Sequence, residues 1–422
     1  MRIGYLHIGP FRHGIHRYGY LLAQAASQRE DLDVIEASVC LDEDKSKNHK
    51  LLIEAAQKLS KADIVHIQFS KFGKQLWGEG WSQLQHLRLF FKYCAAPVVV
   101  TLHDVYYPPS RLTGVIRSAT AKLNRKVAKP SQKQLNTDGV SKQEKTQRNS
   151  NQVAKPKRSA VTKGFNFVRT IIKGVVGPDA LALREIARRT HKVIVCTQEE
   201  QRRIRDRVQS PKLTIIPHFV ETRTISTTTE EARKTLELEG VKVITLLGFI
   251  YPPKGHQLLV EAMPNLPEEV RVIFAGGPSS ASYETFVQDL QDIAKTSGVD
   301  NRLRITGYLS EADMECYLKA TDIAVCPFSR ISASGSLSTW ISVACPILAS
   351  ESPQIEELGQ LEPEAIKTFS PYTSAALAEA IKDQLSQPQD DAQAAVKRLR
   401  QKLLIPTILN QHVTVYRRVT NL

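Results

Sequence analysis

No apolar run in the chain approaches the roughly 20 residues that a membrane-spanning helix needs. Gly and Pro contribute 21 residues each without any period, which excludes collagen-like and Pro/Gly low-complexity chains. There is no Cys-x-x-Cys pair. Cys40, Cys94, Cys196, Cys316, Cys326 and Cys345 stand far apart, mostly within or beside apolar runs. Such spacing fits reduced core thiols rather than disulfides or a zinc site, and no metal site is expected. The opening Met1-Arg2-Ile3-Gly4-Tyr5-Leu6-His7-Ile8 lacks the apolar core and small-residue cleavage site of a signal peptide and reads as a strand. The expectation is a soluble, cytoplasmic protein. What remains is a 422-residue chain, 42% hydrophobic and 24% charged, with room for two or three globular domains.

The formal net charge of +14 is concentrated in one place. Between Arg117 and Lys163 there are 13 Lys or Arg against Asp138 and Glu144, giving +11 and leaving about +3 for everything else. The stretch has no Phe, Tyr or Trp and is rich in Gln, Asn, Ser and Lys, so it predicts a disordered basic insertion. Phe165-Asn166-Phe167-Val168-Arg169-Thr170-Ile171-Ile172-Lys173 follows it, apolar with interspersed cations. One reading is an arm attracted to an anionic membrane surface, at about 1 kcal/mol per cation. Another is a solubilising linker. Nucleic-acid binding is not expected, because no aromatic residue interleaves the cations for base stacking.

Elsewhere, strands alternate with helices. Strand runs lie at Arg2–Ile8, Val34–Cys40, Ile64–Phe69, Pro97–His103, Lys192–Thr197 and Leu213–Pro217, then at Lys242–Gly248, Val270–Ala275, Leu303–Thr306, Asp322–Pro327 and Pro346–Ala349. Helical patterns fall between them, including Tyr18–Gln28, Lys50–Lys61, His256–Met263, Ser282–Thr296, Leu337–Ala344 and one opened by Ser310 with Asp313 three residues on. Short β-branched strands with intervening helices imply parallel sheets covered on both faces. The fold class is α/β, two Rossmann-like domains facing a cleft: residues 1–222 carrying the insertion, and 235–406. The Thr/Glu-rich stretch from Thr222 to Glu231 joins them.

Ligands in such sheets bind outside the carboxyl ends of the strands. There the first strand runs into Gly9-Pro10-Phe11-Arg12-His13-Gly14, a turn able to approach a phosphate. Val98–Leu102 ends in His103-Asp104, placing a histidine toward the cleft. In the second half Leu246-Leu247-Gly248 leads to Pro252-Pro253-Lys254-Gly255-His256 at a helix start, where Lys254 would add charge to the positive end of the dipole. Ala275-Gly276-Gly277-Pro278 allows close approach to the backbone, and Ser334-Gly335-Ser336-Leu337-Ser338-Thr339-Trp340 opens a helix with free N–H groups suited to a diphosphate. Asp31-Leu32-Asp33 and Asp42-Glu43-Asp44 read as solvated loops rather than metal-binding triplets.

The ordered set from Leu247-Gly248 and Lys254-Gly255 through Phe274-Ala275-Gly276, Gly307-Tyr308, Tyr317-Leu318, Asp322, Cys326-Pro327 and the Gly/Ser loop to Pro346–Ser350 resembles the donor-binding half of retaining family-4 glycosyltransferases of the GT-B fold. The first half is similar more loosely, through His13-Gly14, Val65-His66-Ile67-Gln68 and Thr101-Leu102-His103-Asp104. The resemblance implies a nucleotide-sugar donor held by the second domain and a glycan or lipid-linked acceptor held by the first, with retention of configuration and no cofactor or metal. It implies that Lys254 and His103 are catalytic and that Gly14, Lys254, Ser334, Gly335 and Ser336 bind the donor phosphates. Gly276, Gly277, Tyr308, Leu337 and Thr339 would bind the nucleotide. It also implies that a terminal helix, about 407–422, returns to the first domain. The chain departs from the family in carrying Phe249 where the partner arginine stands, and Ile331 and Thr339 where two glutamates stand. A binding protein on the same fold, a nucleotide-sugar epimerase and a nucleic-acid binder are the rivals.

Overall fold

The computed structural model describes residues 1–11, 13–70, 76–103, 105, 177–329 and 334–422. The basic stretch 117–163 and the apolar segment after it lie outside the described residues, as do Asp104 and Ile331.

Two six-stranded sheets form, and every strand pairing in them is parallel. The first holds β1 (Arg2–Ile8), β2 (Asp33–Val39), β3 (Ile64–Ser70), β4 (Val98–His103), β5 (Lys192–Val195) and β6 (Leu213–Ile215), in the order β2-β1-β3-β4-β5-β6. The second holds β7 (Lys242–Leu247), β8 (Val270–Ala275), β9 (Leu303–Ile305), β10 (Ile323–Cys326), β11 (Ile347–Ser350) and β12 (Ile366–Phe369), in the order β12-β11-β10-β7-β8-β9. β3 and β4 are buried at every position, and each carries polar side chains among its apolar ones: His66, Gln68 and Ser70 in β3, Thr101 and His103 in β4.

Helices cover both sheets. Those of the first domain are α1 (Gly14–Ser27), α2 (Lys45–Leu59), α3 (Trp81–Tyr93), α4 (Pro178–Arg189) and α5 (Gln198–Ile204). The second has α6 (Thr229–Thr235), α7 (His256–Ala262), α8 (Glu284–Thr296), α9 (Glu311–Ala320), α10 (Gly335–Ser342), α11 (Pro353–Leu361), α12 (Ser374–Ser386) and α13 (Gln389–Leu403). Caps set several starts. Asp44 accepts from the Ser46 and Lys47 N–H groups at α2, and Ser310 accepts from the Asp313 N–H at α9, the cap its spacing predicts.

The order of strands reverses between β1 and β3 in one sheet and between β7 and β10 in the other. Crevices open at these switch points, outside the carboxyl ends of the strands. β1 therefore delivers the Gly9–His13 turn to the cleft. β7 and β10 deliver the loops that carry Lys254 and Ser334.

A last helix, α14 (Ile405–Thr420), packs on α1 and β3 rather than on the second sheet. Its reading from Thr407 is two residues late, because Pro406 sits in the first turn, where its missing N–H costs nothing. Val220 N donates to Leu403 O at 2.8 Å, so the outgoing and returning chains cross side by side. One apolar core continues through this crossing, joining Ile216, Phe219 and Val220 to Leu337, Trp340 and Leu403.

Candidate functional site

Two cavities meet at the start of α10. The first, about 560 Å³, lies in the second domain, lined by Gly248, Phe249, Tyr251, Lys254, Gly276, Gly277, Tyr308, Met314, Phe328, Ser334, Gly335, Ser336 and Thr339. Its floor is backbone in close contact. A Cβ on Gly276 would lie 2.2 Å from the Gly248 carbonyl oxygen, so only glycine fits there. At the outer end Phe249 and Tyr308 are more than half exposed and meet edge to face with centroids 6.1 Å apart. The Tyr308 hydroxyl donates to Pro278 O at 2.5 Å, which orients its ring beside Gly277.

Lys254 stands at the inner end. Gly255, at φ +90°, turns the chain so closely that an added Cβ would lie 2.0 Å from Pro327 O. This turn carries the lysine into the core: Lys254 is 8% exposed, with its Nζ 4.5 Å from the Phe328 ring centroid and donating to Ser336 Oγ at 2.6 Å. Burial pushes the ammonium down to about 8. Ser334 caps α10 by accepting from the Leu337 N–H, so the first-turn N–H groups of Gly335 and Ser336 face the same space as Lys254. The result is a cation and a helix N-terminus converging on one pocket end, an arrangement that favours phosphate oxygens.

The second cavity, about 400 Å³, lies between the domains. From the first domain come His13, Gly14, Arg17, Tyr18, His103, His218 and Glu221, and from the joining stretch Arg223; from α10 come Ser334, Gly335, Ser338, Thr339 and Ser342. Arg17 grips Glu221 with two parallel hydrogen bonds of 2.9 and 2.5 Å. His103 is buried, and its Nε2 is 2.8 Å from Gln68 Oε1. Burial first, then the neighbouring histidines, holds His103 well below the usual imidazole range, and burial takes His218 down to about 4. Both rings are therefore neutral at physiological pH.

The structure brings Lys254, Ser334, Gly335, Ser336, Gly276, Gly277, Tyr308 and Thr339 to one cavity and Gly14 and His103 to the adjoining one; Ser334, Gly335 and Thr339 line both. It does not bring Leu337 to the nucleotide-sized cavity: that side chain is buried in the inter-domain core, and its N–H is taken by Ser334. The Asp triplets serve the fold. Asp31 pairs with Arg29 and Arg417, Asp42 with Lys47, and Asp44 caps α2. Among the described residues, no three His, Cys, Asp or Glu side chains group as metal ligands, and no helix is long and apolar enough to cross a membrane. Sequence reading missed Arg17, Tyr18, His218, Glu221 and Arg223, which lie on a helix face or in the chain after β6; His218 follows directly on the strand run read at Leu213–Pro217, and that position was the signal that could have found it.

Residues 241–387 match the family model described as Glycosyl transferases group 1. Among curated proteins, the chain is 33% identical over 107 residues to the D-inositol 3-phosphate glycosyltransferase of Corynebacterium efficiens, covering 24% of each. It is 24% identical over 200 residues to the 2-deoxystreptamine N-acetyl-D-glucosaminyltransferase of Niallia circulans, covering 45% of this chain and 47% of that one. These matches thus span a quarter to a half of the relatives' length. Among solved structures, Anabaena HepE in complex with UDP superimposes with a TM-score of 0.63 at 15% identity, covering 99% and 100% of the two chains. Sucrose-phosphate synthase from Thermosynechococcus elongatus gives 0.59 at 14% identity, covering 99% of each. These likenesses show the fold: the two-domain GT-B arrangement.

Proposed function

We propose that the protein is a glycosyltransferase that moves a sugar from a nucleotide-sugar donor to a glycan or lipid-linked acceptor, with retention of configuration. One observation carries the reading: Lys254 and the N-terminus of α10 converge where the second-domain cavity opens into the cleft. The nucleotide would lie along Gly276 and Gly277, its base against the aromatic faces of Tyr308 and Phe249. Its diphosphate would meet the Lys254 ammonium and the Gly335 and Ser336 N–H groups, with the sugar projecting toward Gly14 and His103. Negative charge grows on the diphosphate as the glycosidic bond breaks, and fixed donors in a water-poor site stabilise that charge without reorganising. The acceptor hydroxyl would enter from the first domain on the same face, its proton passing to the departing phosphate. Positive charge in this scheme comes from lysine and backbone, so no metal is required.

UDP-glucose is the donor to try first, since HepE has been solved in complex with it. Titration calorimetry and donor-hydrolysis assays across a nucleotide-sugar panel, with and without EDTA, test the reading. Lys254→Ala is expected to lower turnover by about 10²–10³-fold, the usual effect of losing one such donor. Failure of every donor to bind would sink it. Phe249 and Thr339, where the similar family has an arginine and a glutamate, favour a second reading, a nucleotide-sugar-binding protein without turnover. It requires donor binding with no hydrolysis or transfer.

The +11 charge of residues 117–163 would hold the cleft at an anionic membrane surface if the acceptor is lipid-linked. Co-sedimentation with anionic vesicles, intact and without 117–163, measures that contribution.

A further inference from the structure

Behind His103 lies a group of buried polar side chains that the transfer scheme leaves unused. β3 and β4 pair with Gln68 opposite Thr101 and Ser70 opposite His103. The two-residue alternation of strands then puts His66, Gln68, Thr101 and His103 on one face, while Val65, Ile67, Phe69, Val98, Val100 and Leu102 fill the core on the other. α1 covers the polar face closely at Gly19, where a Cβ would lie 3.1 Å from Gln68 Cγ. α14 closes it with Tyr416.

The contacts form a directional chain. His103 Nε2 lies 2.8 Å from Gln68 Oε1, and Gln68 Nε2 lies 3.3 Å from His66 Nε2. Thr101 Oγ1 is 2.8 Å from the same His66 nitrogen, and Tyr416 Oη is 2.6 Å from His66 Nδ1. A carboxamide donates at one end and accepts at the other. Its nitrogen facing His66 requires a lone pair on His66 Nε2, which puts the His66 proton on Nδ1, donated to Tyr416. Its oxygen facing His103 requires the proton on His103 Nε2 and leaves Nδ1 bare. Rotating the amide would invert both assignments, so the tautomers of the two histidines are coupled. Burial keeps both rings neutral.

We propose that Gln68, His66 and Tyr416 are positioning residues that fix His103 as its Nε2–H tautomer, with Nδ1 free to accept a hydrogen bond from a sugar hydroxyl. The C-terminal helix thereby sets the hydrogen-bonding sense of a cleft residue 313 positions earlier in the chain. The inference rests on the placement of His103 beside the reacting sugar.

The test is nitrogen NMR of the full chain labelled with ¹⁵N-histidine, with His103 assigned by its loss in His103→Asn. In the wild type, Nε2 of His103 is expected to carry the proton. Tyr416→Phe and Gln68→Leu, checked for native folding by thermal melting, are expected to give a mixed or inverted tautomer at His103. Their donor hydrolysis should fall in kcat by about 10-fold, with donor KM unchanged. A proton on Nδ1 in the wild type, or an unaltered tautomer in both folded variants, overturns the proposal. Wild-type turnover in His103→Ala would instead remove His103 from the reaction while leaving the tautomer result standing.

Discussion

The two domains share one architecture and build their halves of the site from different material. In the second domain the cavity is made of backbone: Gly248, Gly255, Gly276 and Gly277 let loops approach one another, and a helix start supplies N–H groups. In the first domain the cleft face is made of side chains, with His103 of β4 resting on Gln68 and His66 of β3 and on Tyr416 of a distant helix. A backbone site tolerates little change at its glycines. A side-chain site depends on the protonation of its members. Glycine should therefore control one domain and acid the other.

The largest expected effect is at Gly255. Alanine there must hold φ +90° and bring its Cβ to 2.0 Å from Pro327 O. The backbone conformation alone costs about 1–3 kcal/mol, and the clash adds to it. Gly255→Ala should lower the melting temperature by several degrees and abolish donor binding, because Lys254 is the residue immediately before it. Native stability with intact binding would show that the second site is not set by its backbone.

Acid should act on the other side. His66 and His103 are held well below 6.5 by burial, His218 is pushed down to about 4 and His412 to about 3. The unfolded chain takes up these protons below about pH 6.5 while the folded chain refuses them, so stability falls as pH drops from 6.5 toward 4. Each group contributes up to about 1.4 kcal/mol per pH unit in that window. In the second domain His256 alone is shifted in this way, down to about 3. Hydrogen exchange at pH 5 should therefore open β3, β4 and α14 before β7 and β8. Simultaneous opening would erase the contrast.

The same contrast governs what the sequence reveals. Both sheets are legible because alternating short β-branched strands and helices admit few arrangements, and the lining of the second-domain cavity is legible because glycines and a hydroxyl-rich helix start mark backbone sites. Leu337 misleads because it shares that helix start while its side chain points to the inter-domain core. β12 and α11 to α13 escape notice: Ile366-Lys367-Thr368-Phe369 is an edge strand with a polar middle, and α13 is mostly charged and polar. The polar group behind His103 has a faint trace, since His66, Gln68 and Ser70 stand two apart among the apolar residues of one strand. Tyr416 is legible as part of the terminal helix that returns to the first domain, but its pairing with His66 across 350 positions is a product of the fold.

A smaller effect separates binding from folding at Lys254. With the ammonium pushed down to about 8 by burial, raising the pH above 8 removes the charge a diphosphate needs, and donor affinity should fall. Folding should move the other way. The unfolded lysine keeps its proton to about 10.5, so stability rises between pH 8 and 10.5 as the buried charge is relieved. Calorimetry and chemical denaturation across that range should give slopes of opposite sign. Matching signs would mean that the charge is not the donor's partner.

The smallest effect is expected at Tyr308, where side chain and backbone meet within one cavity. Its hydroxyl donates to Pro278 O at an exposed site, so Tyr308→Phe gives up one hydrogen bond that water can replace, worth about 1 kcal/mol or less. Donor KM should rise no more than about 5-fold. Tyr308→Ala removes the ring itself, and an aromatic face under a base is worth about 1–3 kcal/mol. That variant should raise donor KM by about 5–150-fold with little change in kcat, since the base as proposed would lie at the far end of the cavity from Lys254. If phenylalanine weakens binding as much as alanine does, the ring contributes little and Tyr308 acts by holding the Pro278 backbone. The outer end of the pocket would then be built from backbone as fully as its floor.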